Sequence, residues 1–171
     1  QCYHRDIAPD NVMLLPNLNR WLLLDFGAAR RVIGDMTQAL TVILKPGYAP
    51  IEQYAEVPSL KQGPWTDIYA IGACIYACMQ GYPPNEAPQR QEKDRITVAL
   101  ARLRGVYSDN LIEVVEWCMA LDPLSRPQSV FALQKELSRE GERRYTKLSV
   151  TEKVRLQFDN MVSDSRRGSK P

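Results

Sequence analysis

The segment Thr66–Gln80, TDIYAIGACIYACMQ, carries a single charge, at Asp67, and is apolar nearly all round. A helix of 3.6 residues per turn with no polar face has nowhere to sit except inside a fold. The segment is therefore expected to be a buried central helix, with the rest of the chain packed around it. Gly81 follows as a natural stop, because glycine enters the left-handed conformation that ends helices without a Cβ penalty.

The flanking sequence supplies what such a helix needs. Ile96, Leu100 and Leu103 keep a helical period, as do Leu111, Val115 and Cys118 behind a Ser108-Asp109 cap. Val130, Leu133 and Leu137 form another stripe just past Pro127. Ser149-Val150-Thr151-Glu152 has the form of a capping box, and it predicts a last helix over Val150–Val162. On the N-terminal side, Asn11–Leu15 and Arg20–Leu24 are short apolar runs around Pro16-Asn17-Leu18-Asn19, which predicts a β-hairpin. Between Asp25 and Glu52 there is no sustained period, and a long, functional loop is expected. The class is mainly α (α+β): a helical bundle around a buried helix, with one small hairpin at its edge.

Composition narrows the function. The 171 residues suffice for one compact domain, and 44% hydrophobic with 25% charged residues is a soluble globular mix. No apolar run approaches the roughly 18 residues of a membrane span, and no secretion signal is recognisable. Cys2, Cys74, Cys78 and Cys118 form no paired CxxC knuckles, and three of them fall in apolar helical stretches. They read as buried thiols in a reducing compartment, so a cytoplasmic location is expected. One histidine excludes a His-rich metal centre. Charge is uneven: residues 1–138 hold 13 basic and 15 acidic side chains, net −2, whereas residues 139–171 hold 9 and 5, net +4. The basic tail reads as a solvated extension. It has no interleaved aromatic and basic stripe of the kind that grips single-stranded nucleic acid.

The chemistry concentrates near the N-terminus, in His4-Arg5-Asp6-Ile7-Ala8-Pro9-Asp10-Asn11. Just past the hairpin comes Leu24-Asp25-Phe26-Gly27, 19 residues after Asp6. A hairpin between those loops would bring Asp6, Asn11 and Asp25 to one edge. Two carboxylates and an amide oxygen are a hard, oxygen-only set suited to Mg²⁺.

These motifs resemble the catalytic loop and magnesium loop of a protein kinase. Pro46-Gly47-Tyr48-Ala49-Pro50-Ile51-Glu52 resembles the end of an activation segment, and Asp67-Ile68-Tyr69-Ala70-Ile71-Gly72 the central helix with its buried aspartate. Leu121-Asp122-Pro123 with Arg126-Pro127 resembles the segment whose arginine pairs with the activation-segment glutamate. Five motifs in order span residues 4 to about 138, the extent expected for a kinase C-terminal lobe, with residues 139–171 a basic extension bearing one helix or linker.

The resemblance implies a serine/threonine kinase of a bacterial variety that uses ATP and Mg²⁺ on a protein substrate. Asp6 would accept or orient the substrate hydroxyl proton, and Asn11 and Asp25 would hold the metal ions beside the nucleotide. Arg5 would collect negative charge from a phosphorylated activation loop, for which Thr37 and Thr41 are the hydroxyls in place. Asp67 would brace the catalytic loop through its backbone, and Glu52 with Arg126 would be a buried pair.

Most serine/threonine kinases carry lysine two residues after the catalytic aspartate, and here Ala8 stands there. The position usually held by threonine before the segment's Gly-Tyr is Lys45. Its ammonium could reach the space Ala8 leaves empty, so Ala8 with Lys45 reads as a relocated charge, against the alternative of a dead site.

The nine glycines form no GxGxxG, and no strand lysine or helix glutamate of an N-terminal lobe is recognisable. The N-terminal lobe is accordingly expected to be missing from this chain, which alone should be inactive. Two readings compete: an enzyme represented by its C-terminal lobe, and a pseudokinase-like docking module. Intact Asp6, Asn11 and Asp25 favour the enzyme, since docking needs no metal ligands.

Overall fold

In the computed structural model, residues 2–25, 30–31, 44–54 and 61–147 are described; for Cys2, Arg30, Arg31 and 140–147 this covers the backbone only. The chain divides into two compact units, Gln1–Gln134 and Lys135–Pro171. Within the described residues the fold is helix-rich, with two two-stranded antiparallel sheets.

The helix predicted from Thr66 is α1, Pro64–Gln80. Pro64 occupies the first turn, where its missing N–H costs nothing. The Gly63 amide donates to Thr66 Oγ1 at 3.1 Å and closes the N-terminus. At the other end Gly81 has φ +81°, and its amide returns to the Ala77 carbonyl at 2.8 Å.

One face of α1 packs Tyr69, Ala73 and Tyr76 against Ile96, Leu100, Ile112, Val115 and Met119. Ile68 packs in a second cluster with Val114, Cys118 and Leu133. These side chains come from α3 (Ile96–Ala101), α4 (Asp109–Cys118) with its C-cap Met119, and the start of α5 (Val130–Lys147). Each fully buried Leu or Ile contributes about 1.5–3 kcal/mol of transfer free energy. Close approach of α1 to α4 depends on Gly72, where a Cβ would lie 2.6 Å from Cys118 Cβ. Ser108 caps α4, its hydroxyl accepting from the Leu111 amide at 3.2 Å.

The helical expectation needs three corrections. The burial of α1 ends at Tyr76, so Cys78 is exposed and Cys74 half-buried; of these three thiols only Cys118 is fully buried. The stripe on α5 is not one buried face: Leu133 alone enters the core, while Val130 is 49% and Leu137 37% exposed. Leu133 is the one that meets Ile68 and Val114. A short helix the periodicity did not indicate, α2 (Ala87–Glu92), lies between α1 and α3. The helix predicted over Val150–Val162 lies outside the described residues.

The hairpin stands nearly where its turn residues put it: β2 (Val12–Leu15) pairs with β3 (Arg20–Leu23), Val12 opposite Leu23 and Leu15 opposite Arg20. The Pro16–Leu18 turn closes with Asn19 in the left-handed region at φ 46°. The second sheet was not legible in the sequence. There β1 (Cys2–Tyr3) pairs with β4 (Arg30–Arg31), inside the stretch expected as loop. Among the described residues no helix is long and apolar enough to cross a membrane.

Candidate active site

The first turn of α1 carries Asp67, and this carboxylate organises the loop before the hairpin. Its Oδ2 accepts from the His4 amide and its Oδ1 from the Arg5 amide, both at 2.8 Å. Arg5 sits at φ +66°, a left-handed conformation that costs a non-glycine residue roughly 1–3 kcal/mol unless its surroundings hold it. Asp67 holds the amide side, and Gln53 Nε2 donates to the Arg5 carbonyl at 2.9 Å. The turn directs the chain so that Ile7 and Ala8 are buried while Asp6 stays partly open to solvent.

Asn11 ends the Pro9–Asn11 turn, its amide donating to the Ala8 carbonyl at 2.9 Å. Its side-chain nitrogen is fully committed: Nδ2 donates to the Asp6 carbonyl at 2.7 Å and to Asp6 Oδ2 at 2.8 Å. An amide so oriented turns its carbonyl oxygen, Oδ1, away from Asp6 as an available acceptor. The hairpin ladder runs one step further, the Leu24 amide donating to the Asn11 carbonyl at 2.8 Å. That bond brings Asp25 to the Asn11 end of the hairpin, exposed and at φ +57°. His4 Nε2 donates to the Leu24 carbonyl at 2.9 Å, which fixes the ring tautomer and ties the two loops together. Asp6, Asn11 and the Leu24–Asp25 turn thus share one edge, and the donors they could offer there are hard oxygens.

Lys45 reaches the same edge from the other side. Its Nζ donates to the Asp10 carboxylate, two residues past Ala8. This hydrogen bond holds the ammonium's pKa above its usual value against partial desolvation, with the charges of Asp6, Asp10 and Asp25 adding to the effect. The same bond lowers the Asp10 carboxyl. Lys45 is therefore a cation beside Asp6, but its contact is Asp10, and Ala8 itself is closed off at 1% exposure.

Below the site, Glu52 and Arg126 pair with both side chains out of water. Arg126 Nη1 donates to Oε1 at 2.7 Å and Nη2 to Oε2 at 3.1 Å. Its other donors reach the carbonyls of Ala120, Leu121 and Trp65, so all five are used. Thr66 Oγ1 donates to Glu52 Oε1 at 2.9 Å. The guanidinium lies 4.7 Å from the Tyr69 ring centroid.

Sequence reasoning missed several of these groups. Gln53 gave no signal beyond its place after Glu52. Arg90 and Asp94 are spaced four apart, an i,i+4 pattern that could have drawn notice; Arg90 is buried, bonded to Asp94 and to the Tyr69 hydroxyl at 2.8 Å. Thr37 and Thr41, and Phe26-Gly27, lie outside the described residues.

Comparison with known proteins places the chain in a family. The protein kinase domain family matches residues 1–138. The chain is 34% identical over 126 residues to a probable serine/threonine-protein kinase nek2 of Dictyostelium discoideum, covering 72% of this chain and 29% of that protein. It is 32% identical over 148 residues to a probable serine/threonine-protein kinase PknB of Corynebacterium glutamicum, covering 80% and 22%. A solved structure titled PpkA-294 apo form superimposes with a TM-score of 0.63 at 40% identity, over 78% of this chain and 46% of that one. The chain thus spans less than a third of these curated relatives. It belongs to the protein kinase domain family.

Proposed function

We propose that this chain is the C-terminal lobe of a serine/threonine protein kinase, which transfers the γ-phosphoryl group of ATP to a protein hydroxyl. In that reading residues 1–138 form the lobe and residues 139–171 a basic extension. An N-terminal lobe supplies the glycine-rich loop and the lysine for the α- and β-phosphates. The observation that carries it is the double hydrogen bond from Asn11 Nδ2 to Asp6. It holds the Asp6 carboxylate in place and keeps Asn11 Oδ1 off Asp6 as an acceptor, which suits a proton acceptor beside an oxygen ligand.

Asp6 receives or orients the proton of the attacking hydroxyl. Asn11 and Asp25 hold Mg²⁺, which when bound neutralises charge on the phosphates. Lys45 contributes the positive charge that Ala8 lacks. Arg5 meets the activation loop once Thr37 or Thr41 is phosphorylated, and Asp67 and the Glu52–Arg126 pair keep the loop in place.

The test is transfer of labelled γ-phosphate from ATP to a serine- or threonine-containing protein by the complete kinase. Asp6→Asn and Asp25→Ala should each abolish it. Labelling that survives both changes would remove Asp6 and Asp25 from the chemistry, and a complete protein that transfers nothing while folded would leave the docking-module reading in its place.

A further inference from the structure

A cavity of about 270 Å³ lies away from these groups, between the last turn of α1, the Tyr82–Asn85 connection and α3. That is just under the roughly 300 Å³ at which small-molecule sites begin, so it takes one or two side chains rather than a cofactor. Its floor is apolar: Tyr76 and Ile96 are buried, and the Tyr82 ring stands edge-on to Tyr76 at 6.4 Å. Tyr82 and Val98 are 56% and 58% exposed at its sides, an apolar surface nothing in the described residues covers.

The rim is cationic. Lys93, Arg95 and Arg102 all line the groove, all are exposed, and none forms an ion pair among the described residues. The one acid in the lining, Asp94, is already matched, because Arg90 donates to both of its oxygens at 3.1 and 2.7 Å. Arg90 spends its remaining contacts on the Tyr69 hydroxyl and the Met119 carbonyl, which fixes the base of the groove to the core. Three uncompensated cations around an apolar hole, on a segment whose net charge is −2, are a local feature and not the field of the whole domain.

We propose that this groove docks an acidic segment of a protein partner, one apolar side chain entering the floor while flanking carboxylates meet Lys93, Arg95 and Arg102. The apolar floor and the small volume select a peptide over nucleic acid, which needs a longer cationic track and stacked aromatic platforms. The proposal is separate from phosphoryl transfer, since docking requires no ATP.

The probe is a fluorescein-labelled decapeptide of glutamates around one central leucine, titrated with the full chain without nucleotide and followed by anisotropy. Binding is expected with a dissociation constant on the order of 10–100 µM, in the range of transient recognition. Charge reversal of Lys93, Arg95 or Arg102 to Glu should weaken it about threefold each and about thirtyfold together, the range of exposed ion pairs. Val98→Asp should weaken it by about tenfold through lost apolar contact. Melting temperatures should not move. Lys61→Glu, just before the N-terminus of α1, should bind as the parent does. The proposal is overturned if the all-glutamate peptide binds as tightly as the leucine peptide. It is equally overturned if Lys61→Glu weakens binding as much as the groove reversals, if an oligothymidylate displaces the peptide at equal concentration, or if no binding occurs at millimolar protein.

Discussion

Glu52 and Arg126 are joined by two hydrogen bonds, of 2.7 and 3.1 Å, across 74 residues of chain with both side chains at 0% exposure. The guanidinium has no donor left over, so losing the glutamate strands a charge that nothing else can take up. Glu52→Ala should lower stability by roughly 3–5 kcal/mol, measured by urea unfolding. The double change Glu52→Leu with Arg126→Met should recover much of that loss, because the penalty comes from the unpaired partner.

Asp67 converts one carboxylate into two backbone anchors, at His4 and Arg5. Asp67→Asn replaces one acceptor oxygen by a donor facing an amide, which should cost about 1.5–3 kcal/mol. Because Arg5 is held at φ +66° by this contact, Asp6 should shift with it. In the complete kinase kcat should fall on the order of 10²-fold, the size of effect that misplacing a reacting group by about 1 Å produces. A stability loss with unchanged kcat would separate the two roles.

Alkaline pH should destabilise the fold. Burial is the first cause that pushes the thiols of Cys74 and Cys118 from the ordinary 9.0 up to about 12, and the Tyr54 hydroxyl from 10.0 to about 12. In the unfolded chain these groups ionise near their ordinary values, while the folded chain keeps their protons. The unfolded state therefore binds fewer protons between about pH 9 and 12, and stability falls as pH rises through that window. Melting temperatures measured at fixed ionic strength should be flat just below pH 9 with respect to these groups and decline above it.

The same burial orders thiol reactivity. At pH 8, Cys78 should be alkylated before Cys74 and Cys118, which should follow only as the chain unfolds; peptide mass mapping reads the order of these three. Early modification of Cys118 would contradict the packing of α1 on α4.

What the sequence made legible had a local cause. The Pro16–Asn19 turn, Gly81 and Ser108 each act within a few residues, so the hairpin, the end of α1 and the cap of α4 could be read directly. The pairing of β1 with β4 could not, because two-residue strands carry no alternation to detect. Nor could α2, whose six residues hold Pro88 and no apolar stripe. The periodicity of Val130 and Leu137 was real but uninformative about burial: a stripe says which side of a helix is apolar, not whether anything covers it. In the site, Asp6, Asn11, Asp25, Asp67, Glu52 and Arg126 were nameable because motif order placed them. Gln53, Arg90 and the contact of Lys45 with Asp10 were not, since each depends on residues brought together by the tertiary fold.

Lys45 carries the most specific claim about the site, that it supplies the charge missing at Ala8. The ammonium, held on Asp10 with Asp6 and Asp25 contributing to its field, would act on charge developing at the transferring phosphate. Steady-state kinetics of Lys45→Ala in the complete kinase tests this most directly. kcat should drop on the order of 10²–10³-fold with the KM for ATP nearly unchanged, the pattern of a contact made in the transition state. Ala8→Lys combined with Lys45→Thr should restore part of the rate. Turnover of Lys45→Ala at the parental rate would contradict the relocation of charge to Lys45.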